Sequence, residues 1–182
     1  MPPAPGPEEA YGSFQQEVEL LLSAARTASP TQDKLSPRFY GLPYDDFIEE
    51  LRLLRDEIEQ RAYLAIVAAT EAVLQVDFRT RVKARAVVVL RDHAKKLEQR
   101  ERKGGRRIEV EHILDGWSTV AGIRQAAISE FKQLLGHRHW LAHGRHFVNR
   151  AGVRDDPAFA FDRSRVLLAE LSRTDTTFPR QA

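Results

Sequence analysis

The sequence predicts an all-α protein, an antiparallel helical bundle organised round a long central helical hairpin. Composition points this way first. Aromatic residues make up 8% of the 182 residues, hydrophobic residues 42% and charged residues 30%, with Ala, Leu, Arg and Glu dominant, a mixture that favours helix over strand. Apolar residues also recur in steps of three and four, the spacing of one helix face. Helix breakers are confined to a few places, such as Pro30, Pro37 and Pro43 and the Gly104-Gly105 pair.

Residues 1–7, rich in proline, predict a disordered, extended tail with neither the basic start nor the apolar core of a signal peptide. Residues 8–43 predict a helix and a proline-containing loop packed on the core. The helix is marked by Tyr11, Phe14, Val18, Leu21, Leu22 and Ala25, and the loop runs from Thr27 to Pro43. Residues 44–175 predict the main helical domain, followed by a tail over 176–182. Asp46, with Glu49 three residues on, reads as a helix start. From there Phe47, Leu51, Leu54, Ile58, Ala62, Ala65, Ala69, Ala72 and Val76 form one stripe about eight turns long. Its first half has a charged back; its second, Ala62 to Val76, is apolar nearly all round, as for a helix entering the centre of a bundle.

A second long helix is expected from about Thr80 to Arg102, with Val82, Ala86, Val89, Leu90 and Leu97 inward. A short helix is expected over Val110–Trp117, and another long one from Ser118 to about Gly136 carrying Val120, Ile123, Ala127, Phe131, Leu134 and Leu135. Asn149–Gly152 and Asp155-Asp156-Pro157 read as turns, and a last helix covers about Pro157 to Ser172 with Phe159, Phe161, Val166, Leu167 and Leu171. No apolar run approaches the roughly 20 residues that span a bilayer. The absence of cysteine excludes disulfides, thiolate metal sites and cysteine nucleophiles and is compatible with a cytoplasmic location. A net charge of +2 means that any nucleic-acid site must be a local basic patch.

Chemistry concentrates in Gly136-His137-Arg138-His139-Trp140-Leu141-Ala142-His143-Gly144-Arg145-His146, which holds four of the six histidines. Histidine exchanges protons near neutral pH and arginine presents a fixed fork to phosphate. Three readings compete. The residues line a helix-to-loop junction, with Trp140 and Leu141 in the core and the histidines solvated. Or His139, His143 and His146 hold zinc, a reading weakened by the lack of thiolates and of a glutamate between the histidines. Or His143 and Arg138 perform acid–base chemistry on a phosphodiester.

Arg138-His139-Trp140-Leu141-Ala142-His143 resembles the signature of the HEPN (higher eukaryotes and prokaryotes nucleotide-binding) family, an arginine followed after four to six residues by histidine near the end of a helical bundle. The extension to Gly144-Arg145, together with Ile128-Ser129-Glu130-Phe131-Lys132 and Ala69-Thr70-Glu71-Ala72, resembles the branch associated with RNA ligases and phosphoesterases. The resemblance covers about Tyr44 to Leu171. It implies a metal-independent, cofactor-free endoribonuclease that works as a homodimer with two motifs meeting in one cleft, in a toxin, defence or RNA-processing setting, with RNA as substrate and an antitoxin or RNA ligase/phosphoesterase-type partner. His143 would move protons, Arg138 would stabilise charge on the phosphorane, and the product would be a 2′,3′-cyclic phosphate. A non-catalytic dimerisation or RNA-binding module of the same family is the alternative.

Arginine and histidine five apart lie about 140° apart on an ideal helix. The arginine bends round, or the helix distorts before Gly144, or a partner subunit completes the site. His139 stands where the family often has asparagine, and His146 is a further candidate acid. Arg145 occupies the position of a tyrosine that some toxin branches modify, and it joins Lys103, Arg106 and Arg107 as candidate RNA-binding residues. In that basic turn Glu98, Glu101 and Glu109 dilute the charge. Glu71 lies in the apolar half of the central helix. A buried carboxylate there requires a partner, for which Arg138 or His143 would serve; an exposed position at a groove is the other possibility.

Overall fold

The computed structural model describes residues 6–27, 41–84, 89–105, 107–142 and 156–178, with only the backbone of 24–27. All regular structure among the described residues is helical: α1 (Pro7–Thr27), α2 (Tyr44–Lys83), α3 (Arg91–Gly104), α4 (Val110–Ser118), α5 (Gln125–Ala142) and α6 (Pro157–Thr174). None of these helices is long and apolar enough to cross a membrane.

The 40 residues of α2 make a rod of about 60 Å, and all five other helices touch it. No residue from Tyr44 to Arg61 is buried, whereas Tyr63, Ile66, Val67, Thr70, Leu74, Asp77, Phe78 and Arg81 are all in the interior. The stripe counted from Phe47 to Val76 holds as the less exposed side up to Ala62 and is buried again at Ala69, but beyond Ala62 the core-facing side shifts away from it. Ala65 is exposed and Val76 is 59% exposed. The larger Tyr63, Ile66, Leu74 and Phe78, which bury more area, turn the helix so that this side faces the bundle. The alanine-rich side is left for close approach and for a groove. Buried Thr70 returns its hydroxyl to the Ile66 carbonyl at 3.0 Å, which satisfies it inside the helix.

The helix boundaries follow local chemistry. Pro7 opens α1, with Glu8 and Glu9 in the first turn, so order begins before Tyr11 and before the end of the expected tail. α2 starts at Tyr44 behind Pro43, and neither Asp46 nor Glu49 forms the expected cap. Asp156 accepts a hydrogen bond from the Ala158 amide at 2.9 Å and Pro157 occupies the first turn of α6.

Two further expectations are corrected. The helix anticipated over Thr80–Arg102 is broken: α2 runs on to Lys83, Ala84 leaves helical geometry, and α3 begins only after Leu90, whose φ is 60°. The valines at 87–89 disfavour helix through their branched Cβ. Arg81 then hydrogen-bonds the Val89 carbonyl at 2.6 Å and fixes the returning chain. The long hairpin thus has one long arm and a 14-residue return. Likewise α5 starts at Gln125, not Ser118. Gly122, at φ 83°, makes a turn that a continuous right-handed helix cannot contain. Val120 and Ile123 still pack inward, from the turn.

α5 and α6 run antiparallel, tied by Arg163–Glu130 at 3.1 Å and by the Arg124 amide to Glu170 at 2.8 Å. The core between them and α2 includes Phe131, Leu134, Leu167 and Leu171, and Tyr11 of α1 stacks on Phe161 at 4.4 Å. The chain stays packed beyond α6: Asp175 caps Thr177, and Phe178 is buried edge-on against Trp117.

Candidate functional site

α2, the segment entering α4, and the end of α5 enclose an open groove of about 1020 Å3. From α2 it receives Ala68, Glu71, Ala72, Gln75 and Val76, a stripe of three- and four-residue steps on the side turned away from Tyr63 and Leu74. The small alanines make its floor. Gln75 donates to the Ile108 carbonyl at 3.0 Å and pins the segment before α4 as the second wall. α5 contributes Leu135, Gly136, Arg138 and His139. At Gly136 a Cβ would meet nothing within 4 Å, so the helix backbone is open to the groove.

Arg138 and Glu71 meet across it, Nη1 to Oε1 at 3.1 Å, with the glutamate side chain 21% exposed and the arginine 36%. The cation required by a carboxylate in the apolar half of α2 is thus Arg138, although Glu71 reaches the groove instead of being sealed in the core. Burial pushes the Glu71 carboxyl above its ordinary range and the neighbouring Glu111 adds to the rise, while Arg138 and Arg107 pull against both. Burial and the arginines thus pull this carboxyl in opposite directions, and burial prevails.

The histidine-rich segment divides. His137 is fully buried, edge-on to the Tyr63 ring at 5.1 Å and stacked with half-buried Trp140 at 5.3 Å. Tyr63 in turn donates to the Leu134 carbonyl at 3.2 Å. His139 is exposed and lines the groove, and Leu141 packs on the core. Helix phase accounts for this: His137 follows Phe131 and Leu134 on the inner side, and Arg138 follows Leu134 and Leu135 at its edge. His143, Arg145, His146 and Arg106 lie outside the described residues, as do Gly144 and the turn at 149–152. α5 ends at Ala142.

Glu71, Arg138, His139 and Arg107 are brought together. Lys103 is exposed at the end of α3 and does not line this groove. Among the described residues no group of three histidines, aspartates or glutamates could hold a metal ion. Sequence reasoning passed over Gln75, Glu111 and buried His137. The three- and four-residue spacing of Ala68, Ala72 and Gln75 beside Glu71 was the available signal. No family model, curated protein or solved structure matches the chain.

Proposed function

We propose that this chain is a metal-independent endoribonuclease of the HEPN type, acting as a homodimer in a toxin, defence or RNA-processing setting alongside an antitoxin or an RNA ligase/phosphoesterase-type partner. The observation that carries this reading is the Arg138 guanidinium held over an open groove by Glu71 at 3.1 Å, five residues before His143. A fixed, permanently charged fork suits the negative charge that grows on a phosphodiester under attack.

In this scheme a histidine takes the proton of the RNA 2′-hydroxyl, the 2′-oxygen bonds to phosphorus, and the bond from phosphorus to the 5′-oxygen breaks. The departing oxygen receives a proton, leaving a 2′,3′-cyclic phosphate and a free 5′-hydroxyl. His143 serves one of these proton transfers, and its copy on a second subunit serves the other. Glu71 is a positioning residue that sets the direction of Arg138. His139, which lines the same groove, contacts the phosphate in this scheme.

The pairing of Arg138 with Glu71 also favours a second reading, a non-catalytic dimerisation or RNA-binding module, because a groove used only for contact keeps its charge balanced in the same way. Incubating the purified protein with total RNA in EDTA separates the two. Cleavage with cyclic-phosphate ends, lost in His143→Ala and absent on 2′-O-methyl RNA, is the expected result. Intact RNA, or full cleavage by His143→Ala, defeats the catalytic reading.

A further inference from the structure

A second groove, of about 420 Å3, lies at the corner of α3 and α4. It is lined by Leu97, Arg100, Glu101, Gly104, His112 and the stretch Arg107–Glu109. The three residues of that stretch also line the groove of Arg138, so the two are continuous over one short segment. We propose that a single RNA strand occupies both grooves, with Arg107 at their junction and Arg100 binding a backbone phosphate away from Arg138. This inference rests on the reading that the Arg138 groove takes RNA.

The charges support it once their partners are known. Arg100, Lys103 and Arg107 are exposed and make no ion pair among the described residues. Two of the three glutamates interspersed with them are occupied by other cations, while Glu109 stays exposed at the junction. Glu101 is gripped at both oxygens by Arg79 of α2, at 2.6 and 2.8 Å, and accepts from the Ile108 amide at 3.3 Å. Those contacts hold its carboxyl below the usual range. Glu98 pairs with Arg102 at 2.8 Å. Arg79, 22 residues from Glu101, thus cancels a charge that a local count sets against the patch. The whole chain is polarised in the same sense: of its 28 basic residues 22 follow position 61, against 14 acidic ones there. The net charge of +2 conceals this asymmetry.

Shape selects one strand. A volume of about 420 Å3 falls in the range of sites that enclose one small ligand, too little for a duplex. Around Gly104 a Cβ would meet nothing within 4 Å, and Gly105 turns the chain at φ 64°, so bare backbone borders the groove where a sugar–phosphate chain would pass. Phosphate contacts of this kind give sequence-independent, salt-dependent affinity.

The test is equilibrium binding of 2′-O-methylated oligouridylates of about 4 and about 16 nucleotides, spanning the usual site sizes for single strands. They are titrated at several salt concentrations against the wild-type protein, Arg100→Glu, Arg107→Glu and, as a charge control on the far arm of α2, Arg52→Glu. Arg100→Glu should weaken the long strand about 10-fold and lower its salt slope by about 1, while leaving the short strand unchanged. Arg107→Glu should weaken both. The inference is overturned if Arg100→Glu matches Arg52→Glu, or if the wild-type protein binds both lengths equally. It is also overturned if polyglutamate displaces the long strand as well as RNA does, which would make the corner a site for acidic protein. Cleavage of RNA with no effect of Arg100→Glu sinks this inference and spares the endoribonuclease reading. Absence of any RNA binding sinks both.

Discussion

Arg81 is the residue whose loss should cost the fold most. Its side chain is 4% exposed and lies between Asp77 and Asp175, each reached at 2.7 Å, while Nη1 also donates to the Val89 carbonyl at 2.6 Å. Its guanidinium sits 4.6 Å from the centre of the Trp117 ring. One cation thereby fastens the end of α2, the return into α3, α4 and the segment after α6. Arg81→Met keeps much of the volume and the contact with Trp117 but strands two carboxylates that are 3% and 7% exposed. Removing one partner of a buried pair costs about 3–5 kcal/mol, a large part of the about 5–15 kcal/mol that holds a domain folded. Asp175→Ala should cost about 1.5–3 kcal/mol, the worth of hydrogen bonds to a charged group, since Asp77 still balances the arginine.

The pH response carries the sign. Burial pushes Asp175 up, but the hydrogen bonds from Arg81 and from the Thr177 amide and hydroxyl outweigh it and hold the group below the usual range. Its contribution is therefore present above the ordinary aspartate range and is lost as pH falls through its lowered value. Asp77 is pushed up by burial despite Arg81, so its contribution is present at low pH and is lost as pH rises through the raised value. In Arg81→Met both carboxylates lose the arginine that lowers them, and the variant should recover stability on acidification where the wild-type protein loses the share due to Asp175. Urea unfolding followed by circular dichroism across this pH range measures the difference. A loss below about 1 kcal/mol at neutral pH in Arg81→Met, or a deficit that widens in acid, would refute the account.

Other consequences are equally direct. Glu71→Gln removes a carboxylate whose raised value means that folding loses stability as pH rises from the ordinary glutamate range through the raised one. The variant should match or exceed the wild-type melting temperature at neutral pH, with a flatter pH dependence just above the ordinary range; a steeper one contradicts the placement. Gly116→Ala would set a Cβ 2.5 Å from the His93 ring, which itself lies 3.2 Å from the His112 carbonyl. Overpacking of this kind costs about 1–3 kcal/mol, seen as a lower urea midpoint, and unchanged stability would show that the ring moves aside freely. Tyr63→Phe deletes a fully buried hydroxyl that donates to the Leu134 carbonyl at 3.2 Å. A cost of about 0.5–1.5 kcal/mol is expected in chemical denaturation, with no gain in stability.

The all-helical class was legible because each long helix writes its inner face into the sequence at a fixed period. Phe131, Leu134, Leu135, Leu167 and Leu171 are buried as the periodicity of α5 and α6 requires. Glu71 was legible only as a choice between a buried carboxylate needing a cation and one exposed at a groove, and it combines the two, paired with Arg138 and open to the groove. Two helix ends were not legible. Ala84 and Gly122 interrupt apolar patterns that continue past them, and periodicity reports which side of a chain is greasy without reporting whether the chain is still helical.

Tertiary structure alone decided which face of α2 turned inward, because Ala62 to Val76 is apolar on nearly every side and only packing chooses among near-equal stripes. That choice carried Val76 and Glu71 to a groove and brought Arg138 from 67 positions away to face the carboxylate at 3.1 Å. It also set Arg79 on Glu101 and Arg81 on Asp175, pairs separated by 22 and 94 residues. A sequence names charges one by one. Which of them cancel, and which remain to meet a ligand, depends on distances that exist only once the helices have packed.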